Sequence, residues 1–518
     1  MRIARLIDRT RRQWIAGGLA GVSLLYYLGF LIHHGVMFRW NCDLIANAAY
    51  GVTLFSKIHQ AGWTVPKPAD MLIFGGAYAL ADGLWGIHLV LIVATALTVY
   101  AACRVLLDWG QGAVACVAFT LLILLVPEVF EATLEGGQGL LNASFLFLAL
   151  LAAARWPQRP YRLLLIVFLS FANLARPDAW PATYLLIAVL LGLRFHAARR
   201  IRLCPADAWF LIPIAMPLVW FALNWSVFGD PLYSWHIVRA FLAEGLRDLS
   251  VDAGPRGAIT SFLPRLQSTI GSFFILPDGW SLPALGIAAL IALGVVSLVQ
   301  RARSASLLLA CVLLGPLLFY AVYALRGVIF MSAYLYVVML VIAFLVAAGI
   351  GSVSRLALRL PHRGLRAIGA AVLTAALLLS VGLAPARQIY DQRLHRLEIN
   401  ARLAELARPA IERLLADAGE HAGPPPPLLI GSRWVPTTWI SLARRSGEGV
   451  LLLERLMGQE AGEAEGGMPD LEGRTVYFCV GQVAPPSMRA FIQPFLDEAR
   501  DGEVIFQEDG IVIVRCHY

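Results

Sequence analysis

The chain has 518 residues, 59% of them hydrophobic and 15% charged, with a mean hydropathy of +0.69. Soluble globular proteins are about 45–50% apolar and about 25% charged, so a soluble enzyme of this length is excluded. Scarce charge together with 10% aromatic residues excludes disorder.

The basic charge is 40 Arg and two Lys, Lys57 and Lys67. Residues 1–384 carry 28 basic and 15 acidic side chains, whereas residues 385–518 carry 14 and 19. The hydrophobic part is the basic part, a bias typical of loops on the cytoplasmic side of a membrane rather than of nucleic-acid binding. The expected fold class is an all-α polytopic membrane bundle over 1–384 with a small, water-soluble α/β domain over 385–518.

Crossing ~30 Å of hydrocarbon takes roughly 20 apolar residues. Eleven candidate runs occur, at 14–38, 84–104, 113–127, 139–155, 163–175, 181–194, 207–225, 281–299, 305–325, 328–351 and 367–384. The gaps on one side hold nineteen arginines, among them Arg12, Arg104, Arg155, Arg194, Arg301 and Arg355. By the positive-inside rule that side is cytoplasmic, with the N-terminus on it and the 385–518 domain outside. The stretch 71–104 is too long for one crossing and is broken by Asp82. One crossing is expected there, with 71–82 lying at the outer interface. The N-terminal run resembles a signal peptide in charge but lacks a small-residue cleavage site, so it is expected to be a retained first span.

The outer loops carry the ionisable residues that are expensive near a membrane unless used. The first, RWNCDLIANAAYGVTLFSKIHQAGWTVPKPAD (39–70), places Asp43 directly after the first span, followed by Lys57, His59 and Lys67. Asp43 opens a helical stretch, where it is either an N-cap or a reacting carboxylate. The second, PEVFEATLEGGQG (127–139), puts Glu128, Glu131 and Glu135 at helical spacing, as a solvated face or as acids of a site. The third, LARPDAW (174–180), holds Arg176 and Asp178 close to the membrane, as a structural turn or a functional pair. The fourth opens with NWSVFGDPLYSW (224–235), contains Asp230, Tyr233 and Trp235, and runs to Trp280. Arg326 stands alone after the ninth span, either snorkelling or awaiting an anion. His33 and His34 read as interfacial, and the N-x-S triplets at Asn142 and Asn224 lie in or beside spans and carry no glycosylation meaning.

In the C-terminal segment, 386–418 has helical periodicity interrupted at Pro409, and GPPPP (423–427) is a linker. Strands are expected at 428–432 and 475–480, helices at 436–445 and 487–500, and a hairpin EVIFQ/IVIVR turned at Asp509-Gly510. No phosphate fingerprint appears, and a docking or scaffold role is favoured over catalysis. The seven cysteines have no C-x-x-C spacing, so zinc and redox motifs are excluded. Cys479 and Cys516 fall on two expected strands and could pair if those strands are neighbours.

These elements together resemble the polyprenyl-phosphate-sugar-dependent membrane glycosyltransferases of the GT-C fold, in particular arabinofuranosyltransferase-like and mannosyltransferase-like members. The resemblance rests on the order of elements over roughly 1–350. It rests also on C-D-L-I-A-N-A-A-Y-G around Asp43, Gly136-Gly137-Gln138-Gly139, Ala175-Arg176-Pro177-Asp178-Ala179 and Phe228-Gly229-Asp230-Pro231-Leu232. Cys42 stands where the family often has a first acid and Gln138 where an acid is common, leaving Glu131 or Glu135 as substitutes.

The resemblance implies transfer of a sugar from a polyprenyl-phosphate donor to an envelope glycan, lipid or protein acceptor at the outer face of a bacterial inner membrane. An acceptor hydroxyl gains from a carboxylate that takes its proton, and a leaving lipid phosphate gains from cationic donors. Asp43 is the expected base, with Glu131, Glu135 and Asp178 as further acids. Lys67, Arg176 and Arg326 are the phosphate candidates, and Lys57, His59, Asp230, Tyr233 and Trp235 the substrate-loop residues. Single displacement would invert the anomeric centre. No metal ligand set is expected, although a divalent cation remains compatible. A transporter or flippase of lipid-linked precursors is the rival from another class, but no internal repeat or midplane charge supports it. A lipid-linked glycan polymerase or ligase is the nearer enzymatic rival.

Overall fold

The computed structural model describes residues 2–34, 67–80, 84–126, 129–130, 132–136, 139–156, 158–199, 205–236, 282–301, 303–325 and 335–357, the strands of the C-terminal segment, and a few helical positions there. The apolar runs form α1 (Arg2–His34), α2 (Pro68–Leu80), α3 (Leu84–Asp108), α4 (Ala113–Leu125), α5 (Leu140–Ala153) and α6 (Arg159–Ala175). They continue as α7 (Ala179–Ala198), α8 (Leu211–Phe228), α9 (Leu282–Arg301), α10 (Arg303–Leu325) and α11 (Tyr336–Ala357). Ten of the eleven expected crossings coincide with α1 and α3–α11, and the last, 367–384, lies outside the described residues. Among the described residues six helices are long and apolar enough to cross alone, within α1, α3, α7, α8 with its lead-in, α10 and α11. Helices α4, α5 and most of α9 are shorter apolar pieces.

The chain divides into two compact units. The first comprises Met1–His33, His88–Trp220 and Leu242–Leu394, and the second His34–Ile87, Phe221–Phe241 and His395–Tyr518. In the first unit α5 is buried nearly all round and α11 over most of its length, as expected of helices with no polar face. Phe119, Phe147 and Phe344 meet between α4, α5 and α11, with Trp109 edge-on to Phe344.

Glycine allows the closest crossings. A Cβ on Gly294 of α9 would lie 2.1 Å from the Leu345 carbonyl oxygen of α11, and one on Gly349 2.1 Å from that of Leu290. Lipid gives no hydrophobic drive for helix association, so backbone-to-backbone packing of this kind supplies the contact. Proline interrupts the hydrogen-bond ladder of α8 and a side chain repairs it. Pro217 has no N–H for the Pro213 carbonyl, and Asn173 Nδ2 of α6 donates to that oxygen at 2.7 Å.

Arginine side chains tie one end of this unit together. Asp108 accepts from Arg155, which also donates to Tyr161 (2.9 Å), while Arg12 and Arg104 approach Asp108 at 3.8 and 3.6 Å. Arg355 at the end of α11 donates to the Gly110 and Gln111 carbonyls, to Gln111 Oε1 and to Ser297. Arg194 pairs with Asp207. Arg12, Arg104, Arg155 and Arg355, which the charge pattern put on one side, thus share one end of the unit.

The C-terminal segment of the second unit holds a five-stranded sheet: β1 (Leu428–Gly431), β2 (Val450–Leu452), β3 (Thr475–Gly481), β4 (Asp501–Glu508) and β5 (Ile511–His517), in the order β2-β1-β3-β5-β4. β1 pairs in parallel with β2 and β3, and β5 is antiparallel to β3 and β4. Parallel neighbours need long crossovers, which the chain between β1, β2 and β3 supplies. β1, β3, β4 and β5 fall where strands were expected, and β2 is an unexpected strand. The expected helix 436–445, the Asp509-Gly510 turn and Pro409 lie outside the described residues.

The cysteine expectation is corrected by register. β3 and β5 are neighbours, but Cys516 sits opposite Val476 and Cys479 opposite Ile513. Three positions of offset, about 10 Å along a strand, exceed the roughly 7 Å between Cα atoms that a disulfide can span. Cys516 is a free, buried thiol, and burial pushes it up to about 11. On the face of Tyr477 and Arg515, Asp417 accepts from both, at 2.9 and 2.7 Å.

Candidate functional site

The end of the first unit opposite the arginine cluster is built by the start of α5, the α6–α7 turn, the last third of α10 and the start of α11. The turn follows from its residues. Arg176 caps α6 in an extended conformation, which a residue before proline favours, and its N–H still bonds the Ala172 carbonyl. Pro177 and Asp178 then reverse the chain, with the Ala179 N–H on the Arg176 carbonyl and the Trp180 N–H on that of Pro177.

Arg176 and Asp178 face each other there, 8% and 1% exposed. Arg176 Nε donates to Asp178 Oδ1 at 3.1 Å, and Nη2 donates to the Tyr320 hydroxyl at 3.1 Å. That hydroxyl donates to Asp178 Oδ2 at 2.5 Å, and Asn142 Nδ2 donates to Asp178 Oδ1 at 3.2 Å. Asp178 is the N-cap residue of α7, and Asn142 lies in the first turn of α5. The carboxylate thus sits by the N-termini of two helices, where the backbone dipoles favour negative charge. The two residues form a buried ion pair within a hydrogen-bonded cluster.

Gly139, the N-cap of α5, has φ +103 and packs against Arg176 and Tyr336. Just before it, Ala132–Gly136 forms a π-helical turn that carries Glu135 in its backbone. Such turns break the regular hydrogen-bond ladder and occur frequently at functional sites. The Thr133 hydroxyl meets that of Thr95 on α3 at 2.9 Å and donates to the Val129 carbonyl at 2.7 Å.

In the second unit, Lys67 immediately precedes α2 and is 7% exposed. Pro68 at the first helical position lacks an N–H that would be unsatisfied there anyway, and the Met71 N–H returns to the Lys67 carbonyl. A cation beside a helix N-terminus is a combination that favours anions. Asp230 follows Gly229, which ends α8 with φ +71, and its Oδ1 accepts the Leu232 N–H at 2.8 Å while Oδ2 meets His236 Nδ1 at 2.7 Å. Asn224 secures the same turn through the Pro231 carbonyl and Ser234. Asp230 is thereby engaged as a turn cap, and Tyr233 and Trp235 are half-buried in the turn it shapes.

Asp43, Lys57, His59, Glu131 and Arg326 lie outside the described residues, as does the side chain of Glu135. Among the described residues no three His, Cys, Asp or Glu side chains group as a metal site. Two members of the cluster escaped the sequence analysis. Tyr320 sits in an apolar span, where a hydroxyl needs a partner, and Asn142 was visible only as part of an N-x-S triplet.

No protein family and no curated protein matches the sequence. Solved structures do. The crystal structure of ArnT from Cupriavidus metallidurans bound to undecaprenyl phosphate aligns over 96% of this chain and 97% of that one, with TM-score 0.56 and 14% identity. The apo structure of the same protein aligns over the same shares with TM-score 0.57 and 15% identity. The chain therefore has the fold of these ArnT structures over nearly its whole length, in line with the GT-C fold expected from the sequence.

Proposed function

We propose that the protein is an integral-membrane glycosyltransferase that takes a sugar from a polyprenyl-phosphate carrier. The observation that carries this reading is the end-to-end likeness to a structure holding undecaprenyl phosphate. Charge placement supports an orientation with the arginine-rich end cytoplasmic, residues 1–384 in the bacterial inner membrane and 385–518 outside. Outside the membrane there is no nucleotide pool, so a sugar on a lipid carrier is the donor chemistry that suits this face. The acceptor is an envelope glycan, lipid or protein.

In this reading Asp43 removes the proton of the acceptor hydroxyl as it attacks the anomeric carbon, and the lipid phosphate leaves from the opposite face with inversion. Lys67 and Arg326 neutralise the leaving phosphate. The buried setting of Lys67 at a helix N-terminus supports its part. Glu135 or Glu131 stands as the second acid. Lys57, His59, Tyr233 and Trp235 belong to the loops that contact the sugar or acceptor. The test is incubation of purified protein with radiolabelled polyprenyl-phosphate sugars and, in parallel, nucleotide sugars. Label transferred only from the lipid carriers supports the reading, and transfer from nucleotide sugars alone overturns it.

A further inference from the structure

The Arg176–Asp178 pair, closed off from solvent, still lies at the end of the unit where the proposed chemistry would occur. Burying two charges, a phenol and an amide together contributes little over apolar packing of the same volume. Such a cluster does define one geometry, because every donor and acceptor in it accepts only certain directions. What it holds can be read from its contacts. Asn142 ties it to the first turn of α5, and Gly139 rests on Arg176 at the N-cap of the same helix. The π-helical turn Ala132–Gly136 lies three residues before Gly139 and is secured at its own start by Thr133 to Thr95. The turn is thus held by α3, and the cluster holds the N-terminus of the helix that follows it.

We infer that Tyr320 and Asn142 are positioning residues for the transfer reaction: through Arg176 and Asp178 they fix the π-helical turn Ala132–Gly136 and so the placement of Glu135. Tyr320 is the keystone, because its single hydroxyl accepts from Arg176 and donates to Asp178, joining α10 to both ends of the α6–α7 turn. The inference rests on the proposed transferase reading for its functional half. Its structural half stands apart from that reading.

The experiment uses the full chain, purified in detergent, with Tyr320→Phe and Asn142→Ala. Hydrogen exchange over 129–142 reads the turn directly. Both variants should accelerate exchange there by about tenfold, the change expected for one buried hydrogen bond removed, while exchange in α9 stays as in the wild type. With a donor found active on the wild type, kcat should fall by up to about 10²-fold, the order for a ~1 Å misplacement, with the donor KM within about twofold. Unchanged exchange over 129–142 in both variants overturns the inference. So does accelerated exchange with an unaltered kcat, which would leave the cluster a purely structural clamp. Faster exchange throughout the protein in both variants also overturns it, since the cluster would then hold the whole bundle. A wild type inactive with every donor overturns the transferase reading and the functional half with it, whereas the exchange data still decide whether the cluster fixes the turn.

Discussion

Asn173 shows how one polar residue in a span can be accounted for in full. Its Nδ2 serves the carbonyl freed by Pro217, its Oδ1 accepts from Thr183 at 2.7 Å, and its own carbonyl accepts from both Trp180 and Trp220. Asn173→Leu leaves the Pro213 carbonyl and the Thr183 hydroxyl without these partners inside the membrane. It should lower stability by about 1–3 kcal/mol, the cost of an unsatisfied buried group, read as a lowered thermal unfolding midpoint in detergent. Arg326 poses a different question. Arg326→Ala should weaken donor use by about 1.5–3 kcal/mol, the worth of a charged hydrogen bond, and Arg326→Lys should restore part of it because the point charge survives without the fork geometry. Full activity in a stably folded Arg326→Ala protein would show that the side chain only snorkels. Single residues were the least legible level of the sequence. Arg176 and Asp178 were visible as a pair two positions apart, but their burial depends on Tyr320, 142 positions further along the chain from Asp178, which no local pattern announces.

At the level of elements, hydropathy located the helices well because a span must satisfy its backbone internally and present apolar side chains to lipid. Its boundaries were less visible. α1 begins at Arg2 rather than near residue 14, since arginine is a good helix former and polar residues continue a helix beyond the membrane surface. β2 is three residues long, too short for any periodicity to show, and the β3–β5 register that separates Cys479 from Cys516 is fixed by pairing rather than composition. The glycines at the α9–α11 crossing were likewise silent in sequence. Gly349→Ala should drive a methyl into the Leu290 carbonyl and force the two helices apart, costing about 1–3 kcal/mol as overpacking does. Gly286→Ala, with nothing within 4 Å of the added carbon, is the matched control that should leave the unfolding midpoint unchanged.

For the whole molecule, the arginine bias already implied which helix ends belong together, and the side-chain network around Asp108 and Gln111 joins those same ends. Reporter fusions after residues 200 and 400 test the proposed orientation, with a cytoplasmic signal expected at 200 and an external one at 400. A cytoplasmic signal at 400 would place the C-terminal domain on the wrong side for a lipid-carried donor. The fold was legible because charge, hydropathy and the order of motifs all depend on the membrane. The reacting groups were not, because their roles depend on distances between loops that composition does not encode.

The central claim, transfer from a lipid-phosphate donor with Asp43 as the base, is tested most directly by Asp43→Asn. Asparagine keeps an oxygen able to cap a helix and loses the proton acceptor, so it separates the two readings of this position. Removing a positioned base costs about 10²–10⁴-fold in rate, whereas loss of an N-cap costs about 1 kcal/mol of stability. The measurement is sugar transfer from a radiolabelled polyprenyl-phosphate donor, with donor binding and thermal unfolding recorded on the same preparation. The account predicts a folded protein that still binds donor and has lost at least about 10²-fold of its transfer rate. Transfer near the wild-type rate would contradict it.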